Sequence, residues 1–326
     1  MFEVTYRCNF RCPHCYVEGS PKDGKELDTK EVFLIIDQLR DIGVFTISFT
    51  GGEALLRKDI FDILAYAKGQ GFQTTLLSNG YLVNKGIAQK LLKVNINAVE
   101  ITLNSLDPEV FFQLTGGVKN ALDRVKSGVE LLVKYGINVT IKSTAMSLNR
   151  DGLVSIGKFA RSLNIPYNLD MEILPCRNGA STAVHKYSLG PEECFALRRA
   201  VYPEMFRQGA RKVAPPKYLH KQMFICGVGI NSFSITPYGK MNLCLEIDYP
   251  GLDILKLGAK ECWESLKTEV DRLNQAHDFV CKSCEHIKSC GRCTGRSYME
   301  TGELNKCSEY SKMRDIGAKN AKKKIR

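Results

Sequence analysis

Three cysteines, Cys8, Cys12 and Cys15, fall inside the stretch EVTYRCNFRCPHCYVEG (3–19), and the next cysteine is Cys176. Thiolates spaced CxxxCxxC bind a soft metal. Zinc prefers four closed ligands. His14 could complete that set, although its place between Cys12 and Cys15 makes a chelate with both awkward. Four-iron clusters are normally held by four thiolates. Three therefore leave one iron open to an exogenous ligand. A second field follows Cys226 and Cys244: Cys281, Cys284, Cys290 and Cys293 in CKSCEHIKSCGRC (281–293), then Cys307. Its two CxxC pairs also suit a four-thiolate zinc site. An odd total of 13 cysteines in tight pairs, with no charged and apolar leader, points to metal rather than disulfides.

The elements that must position these thiols are legible from periodicity. Strand patterns occur at 2–6, 44–50, 72–78, 98–104, 138–145 and 168–174, and helical patterns near 29–42, 58–70, 84–94, 119–135 and 150–163. Asp28 or Thr29 can cap the first helix and Gly43 can end it. Alternation at this spacing implies parallel βα units. Six of them predict an α/β fold, an open, partial (β/α)6 TIM-like barrel over 1–174. The segment 175–225 carries CRNGAS, LGPEE and VAPPKYLH and one helical pattern near 191–208, so it reads as a bridge. A separate small cysteine-rich domain is expected over 226–326. Cys194 and Cys262 lie in helical patterns and read as small packed residues.

With CxxxCxxC after the first strand and TGGE (50–53) closing the second, the chain resembles the radical S-adenosylmethionine (SAM) superfamily. The resemblance implies a [4Fe-4S] cluster on Cys8, Cys12 and Cys15 whose open iron binds SAM. It also implies reductive cleavage of SAM to a 5′-deoxyadenosyl radical, which abstracts hydrogen from a substrate. It assigns His14 to the aromatic position beside adenine and Gly51, Gly52 and Glu53 to the SAM amino group. SNG (78–80) and TLN (102–104) end the third and fourth strands, and ligands bind at that end of such folds. Asn79, Asn104 and Ser143 are thus further candidates for SAM. Asp170, Glu172 and Cys176, on or after the sixth strand, are candidates for catalysis.

The C-terminal cysteines resemble the SPASM domain, an extension that holds auxiliary [4Fe-4S] clusters. The resemblance assigns Cys226, Cys244 and Cys293 to one cluster and Cys281, Cys284, Cys290 and Cys307 to a second. The first set lacks a fourth thiolate; substrate or His220 could supply that ligand. Such enzymes mostly modify peptides or proteins, and that is the substrate expected here. The segment CGRCTGRSYMETGE (290–303) also resembles a tetrapyrrole branch acting in haem pathways. A sulfatase-type maturase is a third reading; Leu245 stands where that class has aspartate. A zinc-binding interaction module is the non-enzymatic alternative.

The formal charge is +11, spread along the chain apart from the tail KNAKKKIR. No nucleic-acid reader with interleaved aromatics is evident, so nucleic acid is not the expected partner. A basic surface suits an acidic ferredoxin- or flavodoxin-type electron donor. No apolar run approaches the ~18 residues of a membrane span. The expected compartment is the cytoplasm. Because Met1 abuts the first strand, either a separate protein is expected to bind a leader peptide or the substrate is recognised otherwise.

Overall fold

A computed structural model describes residues 1–19, 24–206, 222–276, 278–285, 287, 290 and 292–308. His220 lies outside the described residues. Six parallel strands follow the expected alternation: β1 (Phe2–Thr5), β2 (Thr46–Gly51), β3 (Gln73–Ser78), β4 (Ala98–Thr102), β5 (Val139–Thr144) and β6 (Tyr167–Asp170). They lie side by side in chain order. Helices α1 (Thr29–Asp41), α2 (Ile60–Gly69), α3 (Lys85–Val94), α4 (Pro108–Leu114), α5 (Ala121–Lys134) and α6 (Leu153–Ser162) return the chain between them. The chain thus has the α/β, partial-barrel architecture expected.

Local rules account for the starts of α1 and α4. Asp28 caps α1, with its carboxylate accepting from Glu31 N at 3.0 Å while Glu31 reaches back to Asp28 N at 2.7 Å. Val32, Ile35, Ile36 and Leu39 then form the buried face of α1. Helix α4 was not expected from periodicity because seven residues show too little of a helical period. Its signal is the pair Asp107-Pro108: the carboxylate caps Glu109 N and Val110 N at 2.9 Å, and proline suits the first helical position. Strand β6 stops at Asp170 rather than 174, where its pairing with β5 ends (Thr144↔Asp170). Among the described residues it is the sheet's edge, with no second neighbour to extend it.

Helices α7 (Thr182–Tyr187) and α8 (Pro191–Val201) occupy the bridge. Beyond it the chain rejoins the barrel sheet. Strand β7 (Ser234–Ile235) pairs in parallel with β1, Phe2 opposite Ile235, and β8 (Lys240–Asn242) and β9 (Leu252–Asp253) continue antiparallel. The expected break at 226 is therefore not a break in the sheet. An uncovered β1 would expose a row of backbone donors and acceptors; β7 satisfies it. Helices α9 (Ile254–Leu257), α10 (Ala259–Gln275) and α11 (Thr294–Thr301) complete this region, and Cys262 on α10 is buried, as is Cys194 on α8. Among the described residues no helix is long and apolar enough to cross a membrane.

Candidate active site and cysteine centres

The loop after β1 carries Cys8, Cys12 and Cys15 and is tied down at several points. Arg11 N donates to Thr115 O at 3.0 Å, and the Arg11 guanidinium donates to the carbonyls of Cys8 (2.8 Å) and Phe10 (3.0 Å). Phe10 is buried, edge-on to Tyr81 at 5.5 Å. Burial pushes all three thiols up, and the charges of Cys8 and Cys15 add to the rise at Cys12. The three are thus electrostatic neighbours. Among the described residues, no three His, Cys, Asp or Glu side chains converge as one metal ion requires. Thiolates round a four-iron body sit on different irons and need not converge on one point.

These thiols open onto a cavity of about 290 Å³ at the C-terminal ends of the strands. Its walls include His14, Gly51, Gly52, Asn79, Asn104, Asp170 and Glu172. Thr50 of the TGGE motif also lines it, as do Tyr16 and Thr144, which sequence reasoning missed; no spacing distinguishes those two from ordinary loop and strand-end residues. His14 Nε2 lies 3.5 Å from Asn104 Nδ2, while His14 Nδ1 is buried without a hydrogen-bond partner. Desolvation pushes the His14 pKa down to about 4, so the ring is neutral. An aromatic ring with an orphaned nitrogen beside an open cavity fits a heteroaromatic ligand such as adenine. Asn104 is held by Thr144 N, which donates to its Oδ1 at 2.9 Å. Asn79 Nδ2 donates to Asn9 Oδ1 at 2.9 Å and lies 3.8 Å from Cys8 Sγ.

Two expected ligand contacts, Glu53 and Ser143, take different roles here. Glu53 does not line the cavity: it is fully buried behind it, accepting from Asn79 N (2.7 Å), Ser78 Oγ (2.9 Å) and Leu55 N (3.0 Å). Burial pushes its carboxyl up, against the pull of those donors. It braces the turn that carries Asn79. Ser143 also points away, its hydroxyl donating to Leu103 O. The glycines are required first by the chain itself. A Cβ at Gly51, where φ is +141°, would lie 2.1 Å from Thr5 O; one at Gly52 would lie 2.4 Å from Arg7 O. Cys176 is absent from the cavity wall among the described residues. It sits beneath the loop, its thiol 3.4 Å from Cys15 O.

The C-terminal thiols form two groups. The charges of Cys307, Cys284 and Cys290 bear on Cys281, pushing it up to about 11 together with the larger effect of burial. Cys244 is pushed up to about 12, mainly by burial, with Glu246 and Cys226 contributing. Cys293 is raised by burial, Glu246 and Cys244. Cys293 Sγ lies 3.1 Å from Glu246 Oε2. The charges of Cys281, Cys284, Cys290 and Cys307 thus bear on one another, as do those of Cys226, Cys244 and Cys293.

Two arginines that the sequence did not single out join these centres to the barrel. Arg177 donates to Glu3 Oε1 (2.8 Å), Tyr6 Oη (2.7 Å) and Leu245 O (2.7 Å), spanning β1 and the Cys244 loop. Arg296 on α11 is fully buried and donates to Glu172 Oε2 (3.0 Å), Ile173 O (2.7 Å) and Glu300 Oε1 (3.0 Å). Apart from Glu300, one turn along α11 from Arg296, their partners lie in other segments of the chain, so no local pattern could reveal them.

Comparison with known proteins follows the same outline. Residues 2–160 match the Radical SAM superfamily. An AdoMet-dependent heme synthase of Methanosarcina barkeri is 25% identical over 93% of this chain and 92% of its own length. A probable GTP 3′,8-cyclase of Sulfolobus acidocaldarius is 28% identical over 77% and 82%. Among solved structures, Streptococcus suis SuiB bound to precursor peptide SuiA superposes with a TM-score of 0.74 at 17% identity, covering 95% of this chain and 74% of that one. The anSMEcpe structure with bound AdoMet and Cp18Cys peptide gives 0.70 at 17%, covering 99% and 96%. At that identity the structural likeness establishes a shared fold.

Proposed function

Because this chain belongs to the radical SAM superfamily and is an iron–sulfur enzyme, we propose that its substrate is a segment of a peptide or protein. Cys8, Cys12 and Cys15 would hold the [4Fe-4S] cluster, with His14, Asn79, Asn104 and the Gly51-Gly52 backbone beside SAM. The cluster and SAM, when bound, supply one-electron cleavage and hydrogen-atom abstraction. The chain's own residues orient and shield. Asn104 positions His14, Glu53 braces Asn79, and Phe10, Tyr16 and Phe111 give the cavity water-excluding walls. The two C-terminal cysteine groups would hold SPASM-type auxiliary clusters, and the electron would come from a ferredoxin- or flavodoxin-type donor.

The observation that carries the peptide reading is the charge of the cavity. Among the described residues its wall includes Asp170 and Glu172, the latter paired with the buried Arg296 behind it, but no lysine or arginine. A triphosphate or a carboxylate-bearing macrocycle calls for guanidinium or ammonium partners. A neutral or basic peptide does not, and Leu114, Ile173 and Leu174 offer it apolar contact. That SuiB and anSMEcpe are solved with peptides supports the same reading. The specific support for a tetrapyrrole substrate is the near full-length similarity to the heme synthase.

The test is anaerobic. Cluster-loaded protein with SAM and dithionite is offered a pool of synthetic peptides, a propionate-bearing iron porphyrin, or GTP, and 5′-deoxyadenosine is measured. Stimulation above the substrate-free level by peptides alone is expected. Stimulation by the porphyrin or GTP instead would overturn the peptide reading.

A further inference from the structure

Cys226, Cys244 and Cys293 make three thiolates, and a four-iron cluster has four irons to be ligated. The structure presents a fourth donor from this chain. Glu246 stands two residues after Cys244, on a turn closed by Ile247 N donating to Cys244 O at 3.3 Å. The turn is fixed from behind, where Arg177 donates to Leu245 O at 2.7 Å. Glu246 is thereby turned inward, its Oε2 3.1 Å from Cys293 Sγ, while Asp248 nearby is exposed.

Gly295 marks the meeting point. A Cβ on Gly295 would lie 2.6 Å from Glu246 Oε2 and 3.3 Å from Cys244 Sγ. One point beside the backbone after Cys293 is thus within reach of both the carboxylate and the Cys244 thiol. The start of α11 has a residue without a side chain where those groups converge. The charge of Arg296, one residue on, also bears on Glu246.

We propose that Glu246 is the fourth protein ligand of the cluster held by Cys226, Cys244 and Cys293. The proposal rests on the reading that these three cysteines hold one cluster. Carboxylate oxygen is a harder donor than thiolate but a competent iron ligand. It donates less charge to the cluster than a fourth thiolate would, which sets this cluster's potential above that of the all-thiolate cluster on Cys281, Cys284, Cys290 and Cys307. A less basic ligand is also easier to displace, so the iron on Glu246 is the one a substrate atom could reach. No such exchange is possible at a site closed by four cysteines.

The experiment compares anaerobically reconstituted wild type, Glu246→Ala, Glu246→Cys and Cys226→Ala by iron content, electron paramagnetic resonance and reduction potential. Far-UV circular dichroism controls for folding. Glu246→Ala is expected to lose about one iron per chain and to show a three-iron signal after mild oxidation. Glu246→Cys is expected to keep the full iron content with a lowered potential for one cluster. Wild-type iron content, spectrum and potentials in both Glu246 variants would overturn the ligand assignment. So would appearance of the three-iron signal on replacing His220 instead. If Cys226→Ala lost no iron, the cluster reading itself would fall, and the proposal with it.

Discussion

Replacing Arg296 with methionine should unlock the C-terminal segment from the barrel. Its side chain is 0% exposed, and the partner carboxylates of Glu172 and Glu300 are only 19% and 14% exposed. Methionine fills much of the arginine's volume, so the main effect is electrostatic. Two largely buried carboxylates lose their guanidinium, and Ile173 O loses a donor at 2.7 Å. Removing one partner of a buried ion pair typically costs about 3–5 kcal/mol, because the other charge stays buried and uncompensated. That is a large part of the ~5–15 kcal/mol by which domains are stable. The same reasoning predicts rescue: Arg296→Met combined with Glu172→Gln and Glu300→Gln should recover most of the loss, since neutral amides bear burial better. The assay is urea unfolding of cluster-loaded protein under anaerobic conditions, followed by circular dichroism, with SAM binding measured in parallel. Glu172 and Ile173 both line the cavity, so the single variant should also weaken SAM binding. An Arg296→Met midpoint corresponding to less than ~1 kcal/mol of destabilisation would refute the argument. A triple variant no better than the single one would refute it equally.

Other outcomes follow from the same geometry. Gly52→Val should lower the folded yield together with SAM binding, because its Cβ would lie 2.4 Å from Arg7 O. A variant that folds normally and loses only SAM affinity would show that the ligand, not β1, demands the glycine. Joint replacement of Cys8, Cys12 and Cys15 with alanine should abolish 5′-deoxyadenosine formation while iron stays bound in the C-terminal region. Persisting cleavage would place the reactive cluster elsewhere. His14 has its pKa lowered from 6.5 to about 4 by desolvation. Its contribution to stability is therefore intact above pH 6.5 and declines as the pH falls from there toward about 4, where the unfolded chain takes up the proton first. His14→Phe should remove that part of the acid sensitivity, and an unchanged pH–stability profile would argue against it.

The amino-acid sequence alone determined the six βα units and the thiolate donors of the first loop, for reasons that are local. The βα units announce themselves by period, α1 also by the cap of Asp28 and Glu31, and CxxxCxxC is a set of donors within a single loop. The candidate SAM wall at His14, Asn79 and Asn104 was legible because strand ends fall at one face of a parallel sheet. What the tertiary structure alone decided depends on direction and on distant partners. Alternate residues of a strand point oppositely, so Thr144 faces the cavity while Ser143 turns back to Leu103 O. Glu53 is next to Gly52 in sequence, yet Ser78 Oγ at the β3 end and Asn79 N in the following turn, with Leu55 N just downstream, draw its carboxylate behind the site. The joining of β7 to β1, and the reach of Arg296 to Glu172 across 124 residues, are closures between distant segments. Nothing in the neighbouring residues encodes them. They arise because an unpaired edge and a buried charge must each find a partner wherever the folded chain supplies one.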